Sequence, residues 1–224
     1  MNKNNKLPVF LTVFAAFVLV LAGCGDNYVP PAGEVEATEF QSVELTPMRL
    51  QGNNALAGTQ NIDRESYILT VDGLTDNAVS LSYQDLLGLP QESRLITLHC
   101  VEGWEFTAKI TGPSLVSVLE MAGVMPAADT VIFYTADVPE GYTSLSLDYI
   151  LDNDILLILK INDLTLPPSR GFPFQVGAVG KYGYKWAKWV TRIELSTDSS
   201  FKGYWESRGF NNVADIDGPR FENS

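Results

Sequence analysis

The sequence predicts a mixed α+β domain, and three observations predict it. Several short apolar runs alternate with period two, and two segments carry helix-start and helix-stop signals. No internal repeat divides the 224 residues. Hydrophobic residues make up 46% of the chain, which at this length supports one domain with a substantial core.

The elements follow in order. Residues 1–23 read as an export signal: Lys3 and Lys6 lead an apolar run over residues 7–21, and Leu21-Ala22-Gly23-Cys24 places small residues before a cysteine. That ending resembles a bacterial lipoprotein signal, in which Cys24 is lipidated and becomes the mature N-terminus. The apolar run is short for a spanning helix, which needs about 20 residues, so the expectation is a lipid anchor and no span. Residues 24–44, with Pro30-Pro31 and then Glu34, Glu36 and Glu39, read as a tether. Residues 45–224 are the domain.

Within the domain, residues 67–71 alternate as a half-buried strand that stops at Asp72-Gly73. Ser82, with Asp85 three residues on, caps a short helix closed near Pro90. Residues 94–100 form a strand with Ile96, Leu98 and Cys100 on one face and Leu95, Thr97 and His99 on the other. The Cys100 sulfur therefore ends at the edge of an apolar layer. Thr111-Gly112-Pro113 reads as a helix start with proline at the first helical position. Leu115, Val116, Leu119 and Ala122 give that helix its buried stripe, and Gly123 stops it. Short strands are predicted at 131–135, 143–147 and 155–160, and a turn at Asn162-Asp163. A last strand over 189–195 sets Trp189, Thr191, Ile193 and Leu195 against Val190, Arg192 and Glu194.

The formal charge is −12 at pH 7, and it becomes −14 once Lys3 and Lys6 leave with the signal. So acidic a surface excludes nucleic acid as a partner, and it excludes a polybasic attachment to anionic lipid. With Cys24 assigned to lipid, Cys100 is the one remaining thiol, and a soft thiolate suits a metal centre. The single histidine, His99, rules out a structural zinc set. Strand alternation turns His99 away from Cys100, which argues for a packing or supporting role over a Cys-His nucleophilic pair.

Charge patterning adds a second signal. Arg170, Lys181, Lys185, Lys188 and Arg192 fall in a window without a single acidic residue. Taken alone this is a solvated basic face. The window also holds Gly171, Gly177, Gly180 and Gly183 together with Tyr182, Tyr184, Trp186 and Trp189. Glycines let backbone N–H groups approach a ligand, lysines supply charge for a phosphate, and rings flank a flat heterocycle. The composition points to an anionic ligand site.

Five pieces lie in order between about residues 45 and 211: Cys100-Val-Glu-Gly-Trp104, Gly141-Tyr142-Thr143, Arg170-Gly-Phe-Pro173, Tyr182-Gly-Tyr-Lys-Trp-Ala-Lys-Trp189 and Gly203-Tyr-Trp-Glu206. Together they resemble the molybdopterin-binding oxidoreductase family, the fold shared by sulfite oxidase and the bacterial protein-methionine-sulfoxide reductase catalytic subunit. The resemblance implies a sulfite-oxidase-type mixed-sheet domain with short strands and two or three helices. It implies a molybdenum–molybdopterin cofactor, with Cys100 as the protein's one sulfur on molybdenum and the pterin dithiolene supplying two more. Lys185 and Lys188 match the lysine-bearing stretch near the pterin phosphate. Arg170 stands where relatives usually carry His or Asn beside the pterin. Asn54 looks like the early asparagine that contacts the cofactor, and Thr135 matches a strand-end position facing it. Glu102 and Tyr142 match positions close to the metal that shape the substrate pocket and relay protons. Read without the family, those two are an exposed turn carboxylate and a core tyrosine.

This sequence departs from the family in ways that bear on function. Gln175 stands in Pro173-Phe174-Gln175 where sulfite oxidases carry an arginine that helps bind anions, which weakens sulfite as the substrate. The chain ends soon after Phe210, without the additional dimerisation domain of true sulfite oxidases. It has no Cys-x-x-Cys-His for a c-type haem, so electrons must pass to or from an external carrier, such as a membrane cytochrome. The leader lacks the twin arginine that exported relatives usually carry. The expectation is a lipid-anchored enzyme on the extracytoplasmic face of a bacterial envelope, performing oxygen-atom transfer on a small molecule or an oxidised side chain. The alternative is a non-catalytic binding module that retains the pterin-domain fold. A thiol redox role for Cys100 through a sulfenic acid is disfavoured because no resolving cysteine remains.

Overall fold

Alternating apolar residues build one five-stranded and one four-stranded sheet, beside two two-stranded pairs, in the computed structural model, which describes residues 30–223. The expected signal and Cys24 lie outside the described residues. In chain order the elements begin with β1 (Glu39–Phe40), β2 (Val43–Glu44), β3 (Ile68–Gly73), β4 (Val79–Ser82) and α1 (Tyr83–Gly88). The middle of the chain forms β5 (Gln91–His99), β6 (Glu105–Pro113), α2 (Leu115–Ala122), β7 (Thr130–Thr135), β8 (Val138–Ser146) and α3 (Leu147–Asn153). Four two-residue strands follow, β9 (Leu157–Ile158), β10 (Lys160–Ile161), β11 (Leu164–Thr165) and β12 (Gln175–Val176), and β13 (Val190–Ser196) completes the set.

The five-stranded sheet runs β4-β3-β13-β7-β8, with β3 and β13 parallel and the other neighbours antiparallel. The four-stranded sheet runs β11-β10-β6-β5 and is antiparallel throughout. Leu69 and Val71 of β3, Phe133 of β7 and Ile193 of β13 are fully buried in one cluster that also takes in Ile96 of β5 and Ile110 of β6. The mixed sheets and three α-helices are the α+β class that the periodicity predicts.

Local signals translate directly where they are chemical. Ser82 caps α1 in a full capping box, its hydroxyl accepting from Asp85 N at 3.2 Å and its own N–H donating to Asp85 Oδ2 at 2.8 Å. Gly123 ends α2 at φ +71°, and Asn162 and Asp163 turn between β10 and β11 with φ of 49° and 65°. Ile96 and Leu98 are buried as the alternation requires.

Other expectations are corrected. Pro113 does not open a helix: it is the last residue of β6, where a missing N–H interrupts no continuing ladder, and Ser114 caps α2 instead. Gly112 belongs to the same strand because the Leu157 carbonyl oxygen passes 1.8 Å from where a Cβ would stand. The buried stripe of α2 includes Val118 in place of Val116, one turn on from Ser114. The strand expected over 155–160 is two short pieces, and the one expected to end at 147 stops at Ser146, which caps α3 by accepting from Tyr149 N. In β13 a register shift between Val190 and Arg192 replaces strict alternation, so Val190, Ile193 and Leu195 are the buried residues.

The segment read as tether is attached from Glu34 onward. The Glu34 carboxylate accepts from Thr165 N and Thr165 Oγ1, both at 2.7 Å, and from Lys160 Nζ at 3.2 Å. Ala37 N donates to Asn162 O, and β1 and β2 form a small hairpin. The acidic residues that suggested a solvated linker include the one that fastens it.

Candidate active site

The β5–β6 hairpin positions the thiol. Its nine-residue register ends with His99 opposite Glu105, leaving residues 100–104 as the connection. Cys100 N donates to Trp104 O at 2.9 Å and Gly103 N to Cys100 O at 3.0 Å, so the loop is tied across its base. Cys100 is 9% exposed and stands on the wall of a cleft that Asn54, Tyr142, Trp186 and Lys188 also line. Burial pushes its thiol up, against hydrogen bonds from the backbone N–H groups of Glu102 and Val101. His99 turns aside to pair with Glu105, Nδ1 to Oε2 at 2.8 Å.

Seven of the expected residues meet at this cleft. Cys100, Glu102, Tyr142, Asn54, Arg170, Gln175 and Lys188 all line it. Asn54 Nδ2 (3.2 Å) and Trp104 Nε1 (3.0 Å) donate to Glu102 Oε2, holding its carboxyl below the usual range. The same oxygen is 4.0 Å from the Cys100 sulfur. Glu102 is exposed, as a turn carboxylate would be, yet it is built into the cleft edge. Burial raises the Tyr142 phenol above its ordinary value, and the nearby Glu206 and Asp137 carboxylates add to the effect, so its hydroxyl remains a donor at neutral pH.

The two cations that line the cleft are bonded to the chain itself. Arg170 donates to Gly52 O at 2.8 Å, Gln51 O at 2.5 Å and Met48 O at 3.2 Å, which holds residues 48–52 as a wall. Lys188 reaches Asn53 Oδ1 at 3.0 Å, Ser169 O at 3.2 Å and Asn54 O, pinning the asparagine corner. Gln175 presents a neutral amide whose Nε2 donates to Trp186 O at 3.4 Å. Gly52 lies against Trp104, where a Cβ would stand 2.5 Å from the indole.

Two expected residues stand elsewhere. Thr135 is buried at the end of β7, and its hydroxyl donates to Asp137 Oδ1 at 2.7 Å. It does not line the Cys100 cleft, although Asp137 lines an adjoining pocket with Lys188 and Trp189. Lys185 is fully buried, with Nζ 2.6 Å from Glu206 Oε1 and bonded to Ser144 O at 3.0 Å and Asn212 Oδ1 at 3.1 Å. A lysine so engaged is a structural cation and not a phosphate contact at the cleft. The basic window is likewise neutralised by acids from distant sequence: Lys181 pairs with Asp215, Lys185 with Glu206 and Arg192 with Asp72.

Tyr184, expected among the rings of the basic window, and Trp205, inside a quoted motif, both line the cleft, whereas sequence reasoning gave no role to Asn53 and Phe210, which line it too. Only their proximity to Asn54 and to the last motif signals those two. Among the described residues no three His, Cys, Asp or Glu side chains converge on a metal position. A metal ion at Cys100 must therefore bring most of its own ligands, which a pterin dithiolene does and a bare ion does not. The donor set, one thiolate with neutral amides and cations around it, fits that group.

The comparisons with known proteins agree with this geometry. A family model described as "oxidoreductase molybdopterin binding domain" matches residues 56–205. The uncharacterised oxidoreductase YuiH of Bacillus subtilis is 33% identical, over 66% of this chain and 74% of its own length. The protein-methionine-sulfoxide reductase catalytic subunit MsrP of Campylobacter jejuni is 28% identical, over 68% of this chain and 56% of its own length. This chain thus spans little more than half of that relative. The sulfane dehydrogenase SoxCD from Paracoccus pantotrophus shares the fold at TM-score 0.65 and 22% identity, over 69% of this chain and 44% of that one.

Proposed function

This chain belongs to the molybdopterin-binding oxidoreductase family, and from that premise we propose that it is a molybdenum enzyme whose cofactor is held in the Cys100 cleft. Its reaction is a two-electron oxygen-atom transfer on a small molecule or a sulfoxide-type side chain, with electrons exchanged through an external carrier. The observation that carries the reading is the Cys100 sulfur on the cleft wall, facing the same space as Asn54, Tyr142 and Lys188.

When bound, molybdopterin supplies the two-electron couple and an exchangeable oxygen. The chain's own residues do the rest. Cys100 would provide one thiolate to the metal, and burial favours its protonated form when no metal is bound. Asn54 and Trp104 fix the Glu102 carboxylate beside that sulfur, so the substrate's approach is bounded by a set charge. Tyr142 offers a protonated hydroxyl to an oxygen in the cleft. Lys188 would supply positive charge for the cofactor's phosphate, beside the wall that Arg170 holds. Gln175 leaves the cleft without the arginine that favours an oxyanion, and the aromatic lining from Trp104, Trp186 and Phe210 suits the apolar substituents of an uncharged sulfoxide better than anionic sulfite.

The test is expression with molybdate, metal analysis and assay against methionine sulfoxide and sulfite. Near-stoichiometric molybdenum with a sulfur-rich coordination shell is expected. Cys100→Ser should lose one sulfur from that shell and reduce turnover at least a hundredfold. Full molybdenum and unaltered turnover in that variant would end the proposal. We further propose attachment through lipid at Cys24 on the extracytoplasmic face. The sequence Leu21-Ala22-Gly23-Cys24 supports this, and no helix among the described residues is long and apolar enough to cross a membrane.

A further inference from the structure

The segment after residue 205 lies beyond the family match, yet it reaches the thiol loop. It is fastened to the turn around Tyr182 by several independent contacts. Tyr182 N donates to Ala214 O at 2.8 Å and Ile216 N to Gly180 O at 3.1 Å. The Tyr184 hydroxyl donates to Asn211 O at 2.7 Å, and Lys181 pairs with Asp215 at 2.6 Å. Phe210 and Phe221 bridge the ends of the segment with ring centroids 5.0 Å apart.

Two of its features converge on Val101, the residue next to the thiol. A small apolar cluster, separate from the main core, gathers Tyr182, Tyr184 and Ala214 with Trp205, Phe210, Ile216 and the Val101 side chain. Arg220 Nη1 then donates to the Val101 carbonyl at 3.0 Å. The loop's internal bonds use Cys100 N, Cys100 O, Gly103 N and Trp104 O, which leaves the Val101 carbonyl for Arg220. Arg220 also lies 5.8 Å from the Tyr182 ring centroid, so its guanidinium is placed by the segment's own anchor.

We propose that Arg220 is a positioning residue for Cys100: it fixes the Val101 peptide and, through it, the direction of the sulfur into the cleft. The proposal rests on Cys100 being the cofactor thiolate, but its geometry concerns this chain alone. A charged donor on a carbonyl is among the stronger single hydrogen bonds, and one lost bond of that kind raises local opening roughly tenfold. Arg220 is exposed, so its replacement leaves the core packed.

The experiment is hydrogen exchange on the full-length chain prepared without molybdate, comparing wild type with Arg220→Ala and Arg220→Lys. Molybdenum content of the same variants is measured after expression with molybdate. Arg220→Ala should raise exchange in the peptide covering residues 100–104 about tenfold with an unchanged thermal midpoint, and should lower molybdenum content. Arg220→Lys should restore most of the protection. Unchanged exchange at 100–104 in Arg220→Ala overturns the proposal, as does faster exchange spread evenly over the domain. If wild type binds no molybdenum, the functional reading fails by itself, while the exchange result still decides the role of Arg220.

Discussion

Tyr142 and Lys188 illustrate what a single residue contributes here. The Tyr142 side chain lines the cleft, and burial with two nearby carboxylates raises its phenol above the ordinary range. It is therefore a donor throughout the neutral range and adds no pH limb of its own below about pH 10. Tyr142→Phe should lower kcat roughly a hundredfold, the low end of general acid–base contributions, with KM and molybdenum content little changed. Steady-state kinetics from pH 6 to 9 check this: a new limb in wild type absent from the variant would assign the proton to another state. Cys100, Glu102 and Tyr142 were legible in the sequence because each belongs to a short motif whose neighbours share its location. Lys185 and Lys188 were not separable in that way. They are three residues apart, and the Gly183–Lys185 3-10 turn sends one inward to Glu206 and the other to the asparagine corner. The acid that decides the matter lies twenty-one positions from Lys185, beyond any local pattern.

At the scale of elements, the Lys185–Glu206 pair joins three cleft-forming segments. Lys185 belongs to the turn that carries Tyr184 and Trp186, Thr143 Oγ1 donates to Glu206 from β8 beside Tyr142, and Glu206 follows Trp205. Both side chains are fully buried, and burial lowers the Lys185 pKa despite the carboxylate's opposing pull. Removing one partner leaves an uncompensated charge, so Glu206→Gln should cost about 3–5 kcal/mol in urea unfolding. The double variant Lys185→Met/Glu206→Leu should recover most of that loss. Equal losses in single and double variants would refute the account. The Glu34 clamp gives a pH prediction. Burial alone would raise Glu34, but the Thr165 and Lys160 bonds outweigh it and the folded pKa is depressed. A depressed carboxyl stabilises above its unfolded value and loses that contribution as pH falls through the folded one. Pepsin cleavage within residues 30–44 should therefore rise steeply below about pH 4, and Glu34→Gln should release the segment at neutral pH to other proteases. The elements themselves were legible wherever a cap or an alternation was local, as at Ser82 and in β5. Strand β6 was hidden because Gly112-Pro113 resembles a helix start, and its glycine answers instead to a carbonyl from β9.

The whole molecule carries one charge argument to its end. With 27 acidic and 15 basic residues, its net charge opposes attachment to anionic lipid. The cations that formed the one basic window on paper are spent internally, on Asp215, Glu206, Asp72 and the carbonyls around Arg170. No helix among the described residues can serve as a span. The proposed arrangement has membrane association through acyl chains at residue 24, and acyl anchoring is insensitive to salt because it draws on burial of CH₂ groups at about 0.8 kcal/mol each. Wild-type protein should stay with membranes through a 1 M salt wash, whereas Cys24→Ser should move to the soluble fraction. Turnover of a small soluble substrate with an artificial electron donor should be the same in both, since residue 24 is remote in sequence from every cleft residue. Turnover coupled to membrane electron carriers should fall at least tenfold in Cys24→Ser, because loss of the anchor lowers the effective concentration of enzyme at its carrier. A Cys24→Ser protein that remains with washed membranes would place the attachment on a protein partner and remove lipid from the account.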